Sequence, residues 1–522
     1  MLACQQNGRY RWHTNGLGCE RYMGGHGVTE QEPRRRAAGD AEAGHEPPDG
    51  GSTPPERLDP ALLKIAGVVL VGAVAALLDT TIISVALNQL GEAFGVPVST
   101  VQWVSTAYLL AMALVIPLTG WCVDRFGARV TWLWVLAVFL AGSVLCGAAW
   151  SAGSLITFRV VQGLGAGMIL PLTQIILAQA AGGRGFGRVM ALVAVPGNLI
   201  PIVGPVLGGV VLNVVSWRWI FLINVPVCLL AIVLARRALP TTPGHGRQRL
   251  DVLGLALLAP AVPAMIYGLS QVGGSSALTA AGVVVPVVIG FVLLAAFTTY
   301  ALRVTRTPVI DLRLFRYRSF SASAALLFLS GAALYGPLFL LPLYYQQVRG
   351  FDAFTTGLVL APQGVGTALA LAVIGPLADR IGARPLVLAG ALVTALGTLA
   401  YTQVASGPDD VLLAVALVLR GVGLGAVGIP VMAAAYQQLP HSAIAHGTSA
   451  MNILQRLGAS FGTAVIAVIL QQRLDEHGIG DVTAGVRPES FVGAFWWTVG
   501  SAVLILPLAL LLPGRERAVT RR

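Results

Sequence analysis

Residues 65–87 read IAGVVLVGAVAALLDTTIISVAL, an apolar run broken by one charged side chain, Asp79. About 20 apolar residues are enough for a helix to cross the hydrocarbon core of a bilayer. An ionised group in the middle of such a helix costs at least about 2.5–3.5 kcal/mol. Asp79 therefore needs a partner, a proton or water. The rest of the chain agrees with this reading. Of its 522 residues 56% are hydrophobic and 11% charged. Soluble globular chains carry about 25% charged residues, so lipid must solvate much of this one. The net charge of +11 is mostly Arg. A basic balance can mean nucleic acid, but here the Arg residues fall in short loops between apolar runs, so no nucleic-acid partner is expected.

Working outward from that run, spans are expected at about 62–88, 101–123, 130–150, 154–181, 187–214, 217–237, 252–272, 278–303, 319–347, 355–378, 385–404, 411–438, 446–471 and 491–513, fourteen in all. An even number leaves both termini on one side. Alternate loops differ sharply in Arg. One set, including DRFGAR, ARRALPTTPGHGRQR and DRIGAR, holds about 19 Arg against about 4 in the other, which makes it cytoplasmic. Residues 1–60 are polar, rich in Gly, Pro and charge, and lack the apolar stretch of a signal peptide. They are expected to be a disordered cytoplasmic segment, or an over-extended start with Met23 as one alternative beginning. The five Cys residues show no metal or disulfide spacing, and Cys122, Cys146 and Cys228 lie inside apolar runs.

An internal echo sets the domain plan. GWCVDRFGARV at 120–130 recurs as GPLADRIGARP at 375–385, and RVVQGLGAGMILP at 159–171 recurs as RGVGLGAVGIP at 420–430. Two echoes at a matching separation imply two related halves. The expected organisation is an all-α integral membrane protein. A six-helix bundle over 61–240 is followed by two inserted helices over 241–305. A second six-helix bundle covers 306–515, and the cytoplasmic tail is 516–522.

Four motifs in order resemble the major facilitator superfamily, and more narrowly its fourteen-helix drug:proton antiporter branch. LDTTIISVALNQL at 78–90 resembles the first-helix signature, and GWCVDRFGAR at 120–129 the shared loop motif. RVVQGLGAGMILP resembles the fourth-helix motif. GPVLGG at 204–209, with WRWIFLINVPV at 217–227, resembles the antiporter motif of helix five and the start of helix six. The resemblance covers about residues 60–513. Cys122, Ile200, Asn88 and Gln89 depart from the family pattern, so no substrate is carried over from a relative.

Asp79 is the acidic residue that falls well inside an expected span. Desolvation and a nearby cation pull its proton affinity in opposite directions, which suits a site that loads and releases H⁺. The bland alternative is a structural hydrogen bond. Arg159 opens the fourth helix and is a candidate partner of Asp79, unless it snorkels to an interface. The resemblance implies a role for this position. Arg420 sits at the echoed position, and Arg456 in NILQRLGAS is a third intramembrane cation for which a structural role is expected. Asp124, Arg125, Gly127 and Arg129 form a tight turn expected to act as a charge lock, with Asp379 and Arg380 as its second copy. The plain alternative is a topology signal with a Gly turn. Gly197, Gly204, Pro205, Gly208 and Gly209 make a helix that can bend and pack closely. The resemblance ties this helix to antiport.

Trp103, Tyr108, Gln174, Asn198, Tyr335, Gln363 and Arg420 are candidates for a central, mostly apolar cavity, although Trp and Tyr near span ends also serve as interface anchors. No P-loop, metal cluster or nucleophile–base pair is present in the sequence, so neither an enzyme nor a cofactor is expected. The expected function is proton-coupled efflux of drugs, antibiotics or other small lipophilic or cationic compounds across a bacterial inner membrane. A transporter of one endogenous metabolite on the same fold is the alternative.

Overall fold

The computed structural model describes residues 5–6, 9–10, 59–181, 189–190, 193–194, 200, 207–208, 210–211, 214–241, 244, 250–271, 281–303, 309–351, 353–407, 409–437, 439–440, 443–476 and 487–512. Residues 1–57 are a unit of their own. In it β1 (Gln5–Gln6) pairs antiparallel with β2 (Arg9–Tyr10), Gln5 opposite Tyr10. The disorder expected for residues 1–60 otherwise falls outside the described residues.

Among the described residues from Asp59 onward every regular element is a helix. Helix α1 (Pro60–Phe94) starts where Asp59 accepts a hydrogen bond from the Ala61 N–H at 2.9 Å, with Pro60 in the first turn. A short acceptor at the cap and a proline at the first position are both favourable helix starts. Gly95, with φ of 63°, closes it. Next come α2 (Val98–Val115) and α3 (Leu118–Phe126), expected as one span but bent by 54° at Ile116–Pro117. Proline cannot donate to the preceding turn, which is the physical cause of the break. Then follow α4 (Ala128–Gly147), α5 (Ala152–Ala181), α6 (Arg218–Leu222) and α7 (Asn224–Ala238). The remaining helices are α8 (Val252–Ser270), α9 (Ala281–Arg303), α10 (Arg318–Leu343), α11 (Ala353–Ile381), α12 (Ala383–Leu399), α13 (Asp410–Tyr436), α14 (Ile444–Glu476) and α15 (Glu489–Ala509).

Among the described residues 12 stretches are long and apolar enough to cross a membrane, and the bent α2–α3 pair makes 13. The span expected over 187–214 lies mostly outside the described residues. Those of its residues that are described, such as 189–190 and 207–208, are helical.

Packing falls into two groups. Helix α5 lies between α2 and α4, and α7 between α1 and α4, while α13 lies between α11 and α12, and α10 against α14 and α15. The glycines of the echoed motifs make the first and third of these contacts possible. A Cβ on Gly163 would lie 2.6 Å from the Tyr108 carbonyl oxygen of α2, and one on Gly165 2.6 Å from the Phe139 nitrogen of α4. Glycine lets backbones approach where no side chain fits, the usual device of membrane helix packing. The inserted helices α8 and α9 pack on each other, and α8 touches both α2 and α14, one from each group. Val285, Val288, Phe291 and Val292 of α9 are exposed, as suits a lipid-facing helix.

Candidate functional site

Asp79 is 1% exposed and Arg159 is fully buried, so whatever satisfies them must come from the protein. Arg159 Nη1 donates to Asp79 Oδ2 at 2.6 Å. The other carboxylate oxygen accepts from Gln162 Nε2 at 2.8 Å and from Asn224 Nδ2 at 3.0 Å. Arg159 also donates through Nε to the Val104 carbonyl at 3.1 Å and through Nη1 to Gln162 Oε1 at 2.8 Å. Ser143 Oγ accepts from Gln162 at 2.8 Å. One carboxylate thus ties together α1, α5 and α7, with α2 and α4 attached through Val104 and Ser143. The Tyr108 ring stacks on the guanidinium, 3.9 Å from its Cζ, an arrangement that holds a desolvated cation well.

A buried ion pair with every carboxylate oxygen satisfied is the condition under which charge survives away from water. Without the charge on Asp79, Arg159 would keep Gln162, the Val104 carbonyl and the Tyr108 and Phe221 rings. Gln162, Asn224 and Ser143 were not singled out from sequence, although Gln162 and Asn224 lie inside the quoted motifs. The available signal was spacing, because Gln162 is three residues from Arg159 and so shares its helix face.

The DRFGAR turn is placed at an inter-group contact. Gly127 has φ of 83° and ψ of 154°, a conformation open to glycine and costly to other residues. Asp124 Oδ2 lies 2.9 Å from Nε2 of His446 in α14, whose Nδ1 faces the Val309 carbonyl at 2.9 Å. Val309 in turn donates its N–H to Asp251 at 3.3 Å. Asp251 caps α8 and accepts from the Tyr300 hydroxyl of α9 at 2.7 Å. The inserted pair and both helix groups therefore meet at this turn. His446 was missed from sequence because a lone histidine near a span end carries no local signature. Arg129 donates to the Arg236 carbonyl at 2.5 Å and to Thr241 Oγ1 at 2.8 Å, so it braces the end of α7 rather than reaching across to the second group. Arg125 is half-buried. In the second copy Arg380 is exposed and Gly382 repeats the turn with φ of 85°. The Asp379 side chain lies outside the described residues.

The remaining candidates scatter. Arg420 is 1% exposed, bonded to Gln363 Oε1 and to the Ala333 carbonyl at 2.9 Å, so two expected cavity residues meet. Gln174 accepts from Asn452 of α14 at 2.7 Å, another contact between the groups. Tyr108 is buried beside Arg159, and Tyr335 is 46% exposed. Trp103 is also exposed and faces Tyr267 of α8 with ring centroids 5.7 Å apart, which puts it against the inserted pair. Gly208 packs against Ile82 of α1. Gly197, Asn198, Gly204, Pro205 and Gly209 lie outside the described residues. A cavity of about 420 Å³ between α8, α9 and α14 is wholly apolar, lined by residues such as Leu269, Val287, Phe461 and Ala464.

The sequence model of the Major Facilitator Superfamily matches residues 69–463. The multidrug resistance protein B homolog of Mycobacterium tuberculosis is 37% identical over 451 residues, 86% of this chain and 84% of that protein. The lincomycin resistance protein LmrB of Listeria monocytogenes is 28% identical, covering 82% of this chain and 90% of its own length. Among solved structures, the proton:xylose symporter XylE superposes with a TM-score of 0.58 at 13% identity, over 87% of this chain and 97% of that one. At that identity the likeness concerns the fold.

Proposed function

This chain belongs to the major facilitator superfamily, and on that premise we propose that it is a drug exporter. In this reading it moves small lipophilic compounds, antibiotics among them, outward across a bacterial inner membrane in exchange for protons. The observation that carries the reading is the buried Asp79–Arg159 pair with Gln162 and Asn224 on the second carboxylate oxygen. The names of the relatives support drug resistance as the outcome.

Asp79 is the proton carrier. In its ionised form it clamps α1, α5 and α7 together through the three donors. Taking up H⁺ releases Arg159 from its counter-charge, and the freed guanidinium favours a different packing of α5 against α2. Two bundles, over 61–240 and 306–515, rock about the site, with the helices of 241–305 beside them. Asp124 and His446 form the cytoplasmic latch, intact when the carrier faces outward and broken when it opens inward. Both termini are cytoplasmic. The membrane potential supplies about 2.3 kcal/mol per charge per 100 mV, so one proton per cycle supports an appreciable gradient.

The test is transport in inverted vesicles with an imposed pH gradient. Asp79→Asn is expected to insert normally and to lose gradient-dependent movement of a fluorescent lipophilic drug. Full gradient-dependent transport by that variant would remove Asp79 from the mechanism.

A further inference from the structure

Among the described residues three arginines lie well inside the spans, and they differ in what balances them. Arg159 has Asp79. Arg420 has no carboxylate, but Gln363 and the Ala333 carbonyl hold two of its nitrogens. Arg456 of α14 has neither. It is half-buried and makes no hydrogen bond or ion pair among the described residues. The ionisable groups in its electrostatic reach are two phenols, Tyr335 of α10 and Tyr108 of α2. The stretch 187–214, mostly outside the described residues, contains no Asp or Glu that could serve it.

Its position is defined by its neighbours. Helix α14 meets the first helix group at His446 and again at Asn452, which donates to Gln174 at 2.7 Å. Arg456 follows one turn further along, about 15 Å from His446 along the axis, or halfway through a core of about 30 Å. Gly331 of α10 and Gly458 of α14 hold these two helices backbone to backbone on either side of it. Arg456 therefore stands near the middle of the 30-residue span Ile444–Arg473, on the helix that forms the seam between the groups.

A guanidinium at this depth demands an anion or several acceptors, and its planar fork matches a carboxylate with two parallel hydrogen bonds. We propose that Arg456 is the binding group for an acidic function on the exported compound, so that the carrier takes lipophilic carboxylic acids in preference to lipophilic cations. The proposal rests on the exporter reading for what the site is used for, while the anion preference is a property of the site itself. It departs from both the structural role and the cationic cargo that the sequence suggested.

The probes are naphthoate, its neutral amide and naphthylmethylamine, three compounds of similar size and opposite or zero charge. Binding is measured on the purified full-length protein, and export in proteoliposomes. Wild-type protein is expected to bind naphthoate at least about tenfold more tightly than the amide, with the amine weakest. Arg456→Gln is expected to abolish the difference between acid and amide, and Arg456→Lys to keep part of it. Thermal unfolding with the amide bound checks that each variant is folded. An equal preference in wild type and Arg456→Gln, or tighter binding of the amine by wild type, overturns the proposal. Should naphthoate bind selectively yet none of the three compounds be exported, the anion site stands and the exporter reading falls.

Discussion

Replacing Asp79 by Asn keeps the shape of the side chain and removes its charge, and the surrounding atoms set the size of the effect. The carboxylate accepts from three donors, at 2.6 Å from Arg159, 2.8 Å from Gln162 and 3.0 Å from Asn224. An amide offers one oxygen and one donor. Whichever way it turns, its NH₂ meets at least one of those N–H groups head on. A buried polar group left unsatisfied costs about 1–3 kcal/mol. Arg159, fully buried, also loses its counter-charge, and removing one member of a buried pair costs about 3–5 kcal/mol in total. Arg159→Gln alone should cost a similar amount by leaving the carboxylate stranded. The double variant holds no net charge in the site and should be far less damaged than the sum of the two. A coupling energy toward the top of the roughly 0.5–3 kcal/mol range for contacting residues is expected. Unfolding by sodium dodecyl sulfate in mixed micelles measures all four proteins. Additive losses would refute the reasoning, because they would mean that the carboxylate and guanidinium do not depend on one another.

Four further outcomes follow from particular contacts. Gln162→Leu should lower stability by about 1–3 kcal/mol in the same micelle assay, because Asp79 Oδ1 and Ser143 both lose its amide. It should also leave a carrier that still moves substrate but is more weakly driven by a pH gradient in vesicles. His446→Leu removes the partner of Asp124, so maleimide labelling of the half-buried Cys122, two residues away, should rise several-fold when its peptide is followed by mass spectrometry. Gly127→Ala should cost about 1–3 kcal/mol, since its φ of 83° with ψ of 154° strains any residue carrying a Cβ. Export of naphthoate against proton entry should carry net charge, so clamping the membrane potential at zero with valinomycin and potassium should slow it even at a fixed pH gradient. An unchanged rate would argue for a neutral exchange.

Membrane residence, the helical class and most of the spans were legible in the sequence because hydrocarbon imposes a length and an apolar composition on each segment separately. These are local demands. The repeat, the glycine turn at Gly127 and the isolation of Asp79 inside an apolar run are local for the same reason. The break between α2 and α3 was foreseeable only in part. Pro117 marks the place, but the size of the bend, 54°, is set in three dimensions and not by the local sequence.

What a buried charge pairs with was beyond the sequence. Asp79 and Arg159 lie 80 positions apart and Asp79 and Asn224 lie 145 apart. The meeting depends on glycines that bring α5 close to α2 and α4. The same holds for Asp124 with His446, 322 positions apart, and for the lack of a partner for Arg456 among the described residues. Burial in oil announces that a polar group must be satisfied, because leaving it bare is so costly. Only the packing of the helices determines which neighbour satisfies it, or whether that duty is left to the cargo.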